Sequence, residues 1–421
     1  MRIINKFKEY GLKGSVRAIY QKTIVGINKT IFYFFKVLPV RDNLIVFESE
    51  GDLSDNSFAL FDYLVNHKSI KNYDFIWLVA DVKSCKNRTY TNTTYINKNS
   101  RGIDFIKREI ILNRCKWCFF DHNNPFQGKR KKKNQRVIFL DHGPAPFKME
   151  KKKTANLNLS KYYDYQINSS VMCKRAYVRH PELFGMWGAP EEKILLLGES
   201  RDDYFYQDLS EIKEKISKKI SMKKFDKVFL WMPTFRQSIR PQLSENYLQN
   251  ETKLPVIYTY SDLQSFNKFL KEINCLVILK VHHLQLKLPV FQKQYSNIFF
   301  LRDSDLFNMN VQLSQFIPLS DALITDYSSV MADYILLNRP MIFTTDDYQE
   351  YKKSRGLYPD DILNYLPGPH VNNIKELKDS LIEVKNDKDN FVEKRKQVLP
   401  YFQKYQDGNT CKRVADYFNL K

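Results

Sequence analysis

The stretch Ser320–Pro340, SDALITDYSSVMADYILLNRP, decides how the rest of the chain is read. Ala322-Leu323-Ile324-Thr325 has the character of a short buried strand, Asp326-Tyr327 makes a turn, and Ser328-Ser329 supplies a helix N-cap. Val330, Met331, Tyr334, Ile335 and Leu337 then recur at helical spacing, and Pro340 ends the helix. A strand that turns sharply into a capped helix aims free backbone N–H groups and the positive end of the helix dipole at one point, which suits phosphate. Any parallel sheet continues in the same way, so this stretch alone leaves both readings open.

The same alternation runs outward in both directions. Leu44–Phe47, Phe75–Val79, Trp117–Phe120, Val137–Leu140, Tyr165–Asn168 and Ile194–Leu197 read as strands, with helices at Ser57–Val65 and Gly102–Leu112. A lysine-rich helix, Ile212–Lys224, precedes a second set at Val228–Trp231, Leu276–Leu279, Ile298–Phe300 and Met341–Phe343. Strand–helix alternation predicts parallel sheets covered on both faces. The expected architecture is α/β, two Rossmann-like doubly wound domains facing a cleft: 41–210 on the acceptor side and 211–421 on the donor side, with the boundary near 205–225. A length of 421 residues accommodates both, and 43% hydrophobic content is that of a globular chain.

Charge narrows the partners. The excess of 67 Lys+Arg over 47 Asp+Glu, a net charge of +20, points to a polyanion: nucleic acid, anionic lipid, or an anionic polymer or nucleotide. No helix-turn-helix, zinc-finger or RNA-binding signature accompanies it, so nucleic acid is not expected. Residues 1–40 carry Lys6, Lys8, Lys13, Arg17, Lys22 and Lys29 among apolar residues, then the run Ile31-Phe32-Tyr33-Phe34-Phe35 closed by Lys36. They contain no spanning-length apolar run and no signal-peptide pattern, and read as a basic amphipathic segment for an anionic membrane surface, or as a helix packed on its own domain. Lys129–Lys133 (KRKKK) and Lys151–Lys153 flank one strand and loop, as a solvated charge run or a contact for lipid headgroups. Six scattered cysteines form no disulfide framework, consistent with a reducing cytoplasm. The CxxC of Cys115 and Cys118 has no second pair and lies in a buried strand, and Asp346-Asp347 has no ligand spacing, so no metal is expected.

In a doubly wound domain ligands lie beyond the carboxyl ends of the strands. Val137–Leu140 is followed by Asp141-His142-Gly143-Pro144-Ala145-Pro146-Phe147-Lys148, a rigid loop presenting a histidine suited to general-base work. Ile194–Leu197 leads to Gly198-Glu199-Ser200-Arg201-Asp202-Asp203, where the arginine suits a phosphate or a salt bridge with neighbouring aspartates. Val228–Trp231 leads to Met232-Pro233-Thr234-Phe235-Arg236, and Leu276–Leu279 to Lys280-Val281-His282-His283. Cations, hydroxyls and histidines gathered at these ends suit transfer at a phosphate, where catalysis is mostly positioning and charge stabilisation.

TDYSSVMADYILLNRPMIF (325–343), YKKSRGLYPD (351–360) and Pro367-Gly368-Pro369, with the loops above in that order, resemble the CDP-glycerol:poly(glycerophosphate) glycerophosphotransferase family over roughly residues 43–400. The resemblance implies a GT-B-like fold and cofactor-free, metal-independent transfer of a polyol phosphate from a CDP-activated donor, with CMP leaving. It implies His142 as the base for the acceptor hydroxyl and His282 as a second histidine beside the donor diphosphate. By position it implies substrate contacts at Gly143, Pro144, Lys148, Arg201, Pro233, Thr234, Arg236, Lys280, Ser328, Ser329 and Asp333. The family's His-Gly-Thr-Pro is here His142-Gly143-Pro144-Ala145-Pro146, its His-Pro is His282-His283, and the Asn of its Arg-Asn-Asp is Asp202. The expected protein is a peripheral transferase on the cytoplasmic face of a bacterial membrane, acting in teichoic-acid or capsule-like polymer synthesis on a glycan or lipid-linked acceptor. A sugar-nucleotide glycosyltransferase on the same fold is the alternative, and a non-catalytic membrane scaffold would leave the histidine loops without a purpose.

Overall fold

A computed structural model describes residues 30–67, 73–100, 102–149, 159–184, 187–234, 250–281 and 288–420. Residues 1–29, Lys151–Lys153, Arg236 and His282 therefore lie outside the described residues.

Two all-parallel sheets form. The first contains β1 (Arg41–Glu48), β2 (Asp74–Val79), β3 (Thr93–Asn97), β4 (Cys115–Phe120), β5 (Arg136–Phe139), β6 (Tyr165–Asn168) and β7 (Ile194–Leu196), in the order β3-β2-β1-β4-β5-β6-β7. The second contains β8 (Lys227–Trp231), β9 (Cys275–Leu279), β10 (Ile298–Phe300), β11 (Ala322–Thr325), β12 (Met341–Thr344) and β13 (His370–Val371), in the order β10-β9-β8-β11-β12-β13. Both are buried on both faces because their strands alternate apolar side chains between two layers. Ile45 and Phe47 enter one core and Leu44 and Val46 the other; in β8, Val228 and Leu230 oppose Phe229 and Trp231. In each sheet the strand order reverses once, between β1 and β4 and between β8 and β11. Those two reversals open the crevices where a doubly wound sheet takes a ligand.

The expected second unit, 211–421, keeps its sheet but not its tail. The helix Val392–Phe402 leaves that unit, and its end is gripped by the first, where Ser169 Oγ and Ser170 Oγ donate to the carbonyls of Phe402 and Tyr401, each at 2.9 Å. The helix Thr410–Tyr417 then packs wholly on the first unit, with Cys411, Val414, Ala415 and Phe418 in the same core as Phe47 and Phe119. Both oxygens of Asp203 cap it, accepting from the N–H groups of Thr410 and Cys411, each at 2.8 Å.

Three further expectations change. The helix expected over Ile212–Lys224 spans Ser210–Ser217, followed by a 3-10 turn at Met222–Lys224. The basic run at 129–133 is largely consumed inside the fold: Lys129 pairs with buried Glu109 at 2.8 Å, Lys131 with Asp164 at 2.9 Å, and Lys132 donates to the Asn113 carbonyl at 2.8 Å. Within the aromatic run, Phe32 is fully buried against Phe126, whereas Phe34 is 74% exposed. Cys115 and Cys118 are free and buried, and burial pushes the Cys115 thiol up to about 12, which suits core packing.

Phe418→Ala removes a ring that touches Trp117, Phe119 and Tyr165, so it should destabilise the folded chain by about 3 kcal/mol in urea unfolding.

Candidate active site

The two crevices face each other, and the residues at their mouths come from the loops just after the strands. In the second sheet, β8 ends in Pro233-Thr234 and β11 in Asp326–Ser329. The buried Asp326 carboxylate clamps these loops together by accepting the Thr234 N–H at 2.8 Å. Behind the turn, Tyr327 is fully buried against the rings of Tyr348 and Tyr351. Ser329 occupies the N-cap position, but its hydroxyl makes no capping bond and its backbone is already helical. The α-helix Val330–Tyr334 runs on as a 3-10 turn, Ile335–Leu337, and Asn338 in the left-handed conformation ends it before Pro340. Lys280, at the end of β9 beside β8, is half-buried and pairs with Asp303 at 2.8 Å.

In the first sheet the His142 loop follows β5. Asp141 sits in the left-handed region at φ 56°, held there by its buried carboxylate, which accepts from Gln166 Nε2 at 2.8 Å, Asn168 Nδ2 at 2.9 Å and the His142 N–H at 2.8 Å. The next link is to the neighbouring strand end: His142 Nδ1 lies 3.0 Å from the backbone carbonyl of Asp121, the first residue after β4. A carbonyl only accepts, so Nδ1 is the donor, and in the neutral ring Nε2 would keep the lone pair. The rings of His122 and Trp187 flank His142, with centroids 5.7 and 5.6 Å away. Sequence reading passed over Asp121 and His122. Their signal was the one applied elsewhere, a polar loop immediately after a buried strand.

The two mouths meet at Gly143. A Cβ built there would lie 2.8 Å from Ser329 Oγ, so the absence of a side chain permits the approach. Further along, Lys148 bridges antiparallel to Leu357, and Tyr358 N–H donates to the Phe147 carbonyl at 3.0 Å, tying the loop to the second unit's YKKSRGLYPD segment. Pro144 is buried within this loop.

Arg201 and Asp333 are brought together, though not as the sequence reading placed them. Arg201 Nη1 donates to Asp55 Oδ1 at 2.5 Å and to the His142 carbonyl at 3.2 Å, while Nη2 reaches both Asp333 oxygens at 3.0 and 3.2 Å. Burial works against the guanidinium's charge, but Asp333 and Asp55 outweigh it and hold Arg201 firmly protonated. Burial likewise pushes Asp333 up to about 6, with Arg201 pulling the other way. The aspartates next to Arg201 are used elsewhere, Asp203 as the helix cap and Asp202 on Gln403 Nε2 at 2.9 Å. Thus His142, Gly143, Ser328, Ser329, Pro233, Thr234, Arg201 and Asp333 line or brace one interdomain region, with Lys280 one strand away and Lys148 at the loop's far end.

Glu48, at the carboxyl end of β1, is also buried there, receiving Lys98 Nζ at 3.0 Å and the Asn123 N–H at 2.9 Å. Desolvation outweighs these partners and raises its pKa from 4.5 to about 7. A raised carboxyl pKa contributes stability below pH 4.5 that is lost as the pH rises through about 7. Glu48→Gln should therefore flatten the fall in unfolding free energy between pH 5 and 8, by at most about 3 kcal/mol, in denaturant titrations across that range.

A teichoic acid poly(ribitol-phosphate) polymerase of Bacillus spizizenii is 26% identical over 93% of this chain, which spans 59% of that relative's length. A teichoic acid poly(glycerol phosphate) polymerase of the same organism is 24% identical over 96% of this chain and 99% of its own. A teichoic acid glycerol-phosphate transferase of Staphylococcus aureus is 25% identical over 96% and 98%. Among solved structures, a variant of the wall teichoic acid polymerase TagF aligns with a TM-score of 0.73 at 22% identity over 99% of this chain and 98% of that one, a likeness of fold. The family model for CDP-glycerol:poly(glycerophosphate) glycerophosphotransferase matches residues 30–419. With its GT-B-like pair of sheets and a match over nearly its whole length, the chain belongs to the CDP-glycerol:poly(glycerophosphate) glycerophosphotransferase family.

Proposed function

We propose that this chain transfers glycerol phosphate, or a close polyol phosphate, from a CDP-activated donor to a hydroxyl of an envelope glycan or lipid-linked polymer, releasing CMP. The observation that supports the reading is the approach of Gly143, the residue after His142, to Ser329 of the facing turn. In this reading the donor diphosphate lies against Pro233-Thr234 and Ser328-Ser329. The acceptor oxygen attacks the β-phosphorus, a new P–O bond forms as the bond to the bridging oxygen breaks, and CMP leaves with that electron pair. His142 Nε2 takes the hydroxyl proton. Lys280 and backbone N–H groups meet the charge on the leaving phosphate without a metal ion. Family position adds His282 and Arg236 on the donor side.

CMP release by the whole chain from CDP-glycerol, CDP-ribitol and a UDP-sugar, with a lipid-linked acceptor, tests this directly. Release from a CDP-polyol, unaffected by EDTA, is expected; release from the UDP-sugar alone would replace the reading with glycosyl transfer. His142→Gln should lower turnover about a hundredfold or more while CDP-glycerol binding stays within about threefold.

We further propose that the enzyme works at the cytoplasmic face of the membrane as a peripheral protein. Among the described residues no helix is long and apolar enough to cross a bilayer. Phe34 and Val37 are 74% and 87% exposed around Lys36, a pairing of apolar and basic groups suited to an anionic interface. Phe34→Asp with Val37→Asp should weaken co-sedimentation with phosphatidylglycerol vesicles by about a hundredfold, because each apolar side chain contributes roughly 1.5–3 kcal/mol on full burial.

A further inference from the structure

We propose that the first unit carries a pocket for the phosphate of an anionic lipid headgroup, at the edge of its sheet opposite the active site. The proposal rests on the membrane reading above and gives that contact a chemistry. A cavity of about 450 Å³ opens where β1, β2 and β3 begin. Leu44, Ile76 and Ile111 form its apolar part, and Arg41, Asp74, Asn92, Thr94 and Arg114 its polar part. Arg41 is paired with Asp74, which neutralises it. Arg114, the last residue of the helix Ile103–Arg114, is different. It is half-buried, its Nε is shut off from solvent, and it makes no hydrogen bond or ion pair with any described residue. The side chains of Asn92 and Thr94 likewise have no hydrogen-bond partner among the described residues. A guanidinium drawn away from water is ordinarily met by a carboxylate or a ligand. Together with a hydroxyl and an amide on the same cavity, it offers the donors that phosphate oxygens accept from.

The pocket adjoins the stretch proposed to meet the membrane. Asn113, next to Arg114, donates through Nδ2 to the Phe32 carbonyl at 2.8 Å, and its own carbonyl accepts from Lys132 Nζ at 2.8 Å. Lys132 Nζ also donates to the Leu38 carbonyl, so both ends of the segment 32–38 are fastened to the end of that helix. The exposed Phe34 and Val37 lie between the two fastenings. Burial, aided by Lys36 and Arg114, holds the Lys132 pKa down, so three cations share one field. Arg41 opens β1 three residues after Leu38. When Phe34 and Val37 enter the acyl boundary of a bilayer, the phosphate layer of the same leaflet comes to the mouth of this pocket. The exposed Phe34 ring favours a lipid over a free phosphate, because only a bilayer would also cover the ring.

The test uses the whole chain and its Arg114→Gln, Thr94→Val and Lys133→Gln variants, each checked for folding by circular dichroism. Lys133 is exposed and lies outside the cavity, so its variant removes the same single charge and nothing else. Binding is measured by co-sedimentation with vesicles of equimolar phosphatidylglycerol and phosphatidylcholine, and by calorimetry with monomeric dihexanoyl phosphatidylglycerol. On vesicles Arg114→Gln should weaken binding by about twentyfold, Thr94→Val by about threefold, and Lys133→Gln by about fivefold at most, the diffuse effect of one surface charge. The short-chain lipid should bind the unmodified chain and Lys133→Gln alike and fail to bind Arg114→Gln. Equal vesicle losses in Arg114→Gln and Lys133→Gln would reduce the effect to diffuse charge and overturn the pocket. If Arg114→Gln does not fold, Thr94→Val decides, and unchanged short-chain binding refutes the pocket. Displacement of the short-chain lipid by inorganic phosphate at equal concentration would make this a free-anion site and overturn the lipid assignment. Failure of the unmodified chain to sediment with vesicles removes the membrane reading by itself. The short-chain lipid then judges the pocket, upheld by binding that Arg114→Gln abolishes and refuted by no binding.

Discussion

A charged group removed from water must find its compensation in the protein, and in this molecule that requirement falls on Arg201. Its guanidinium is taken into the seam between two sheets, where a solitary cation would not be tolerated, so both walls of the seam must supply a carboxylate. Such a pair contributes little net stability once its desolvation is counted. What it fixes is geometry, because the fork of Arg201 reaches Asp55, Asp333 and the His142 carbonyl together only in one arrangement of the two units. Gly143 against Ser329, and Phe147–Lys148 against Leu357–Tyr358, are compatible with that arrangement and reinforce it.

The polar interior around this seam follows from the topology. Parallel strands place their carboxyl ends together at one edge, and the loops leaving β1, β4, β5 and β7 carry Glu48, Asp121, Asp141 and Glu199 into space that the packing of a second sheet closes off. Asn56 donates to Glu199, the Ser57 N–H to Asp121, and Gln166 and Asn168 to Asp141, while Lys98 and the Asn123 N–H reach Glu48. Burial still raises the pKa of Glu48, Asp121, Asp141 and Glu199.

Eleven of the thirteen strands were legible because a parallel sheet demands continuous hydrophobic strands. The two strands that were not foreseen lie at edges: β3, Thr-Thr-Tyr-Ile-Asn, is polar on its open side, and β13 is only His370-Val371. The order of strands and loops foretold that His142, Thr234, Ser328 and Ser329 follow β5, β8 and β11, since that depends on topology alone. It could not decide what Arg201 touches, because Asp55 and Asp333 lie 146 and 132 residues away in sequence. Nor could local pattern reveal Gln403, a single amide at the end of a C-terminal helix whose meaning comes from Asp202 and Ala332 on the two sides of the seam.

The helix Thr410–Tyr417 has a consequence for how the protein is born. A chain emerging from a ribosome completes its first sheet when β7 has left, yet the surface over Trp117, Phe119 and Tyr165 stays bare until Phe418 appears. Some two hundred residues of the second unit are made in between. During that interval the first unit presents an aromatic face to solvent, and its maturation awaits the arrival of Phe418. Synthesis of the second unit is thus a timer on completion of the first, and a nascent chain that stalls after β13 would expose the patch that chaperones recognise.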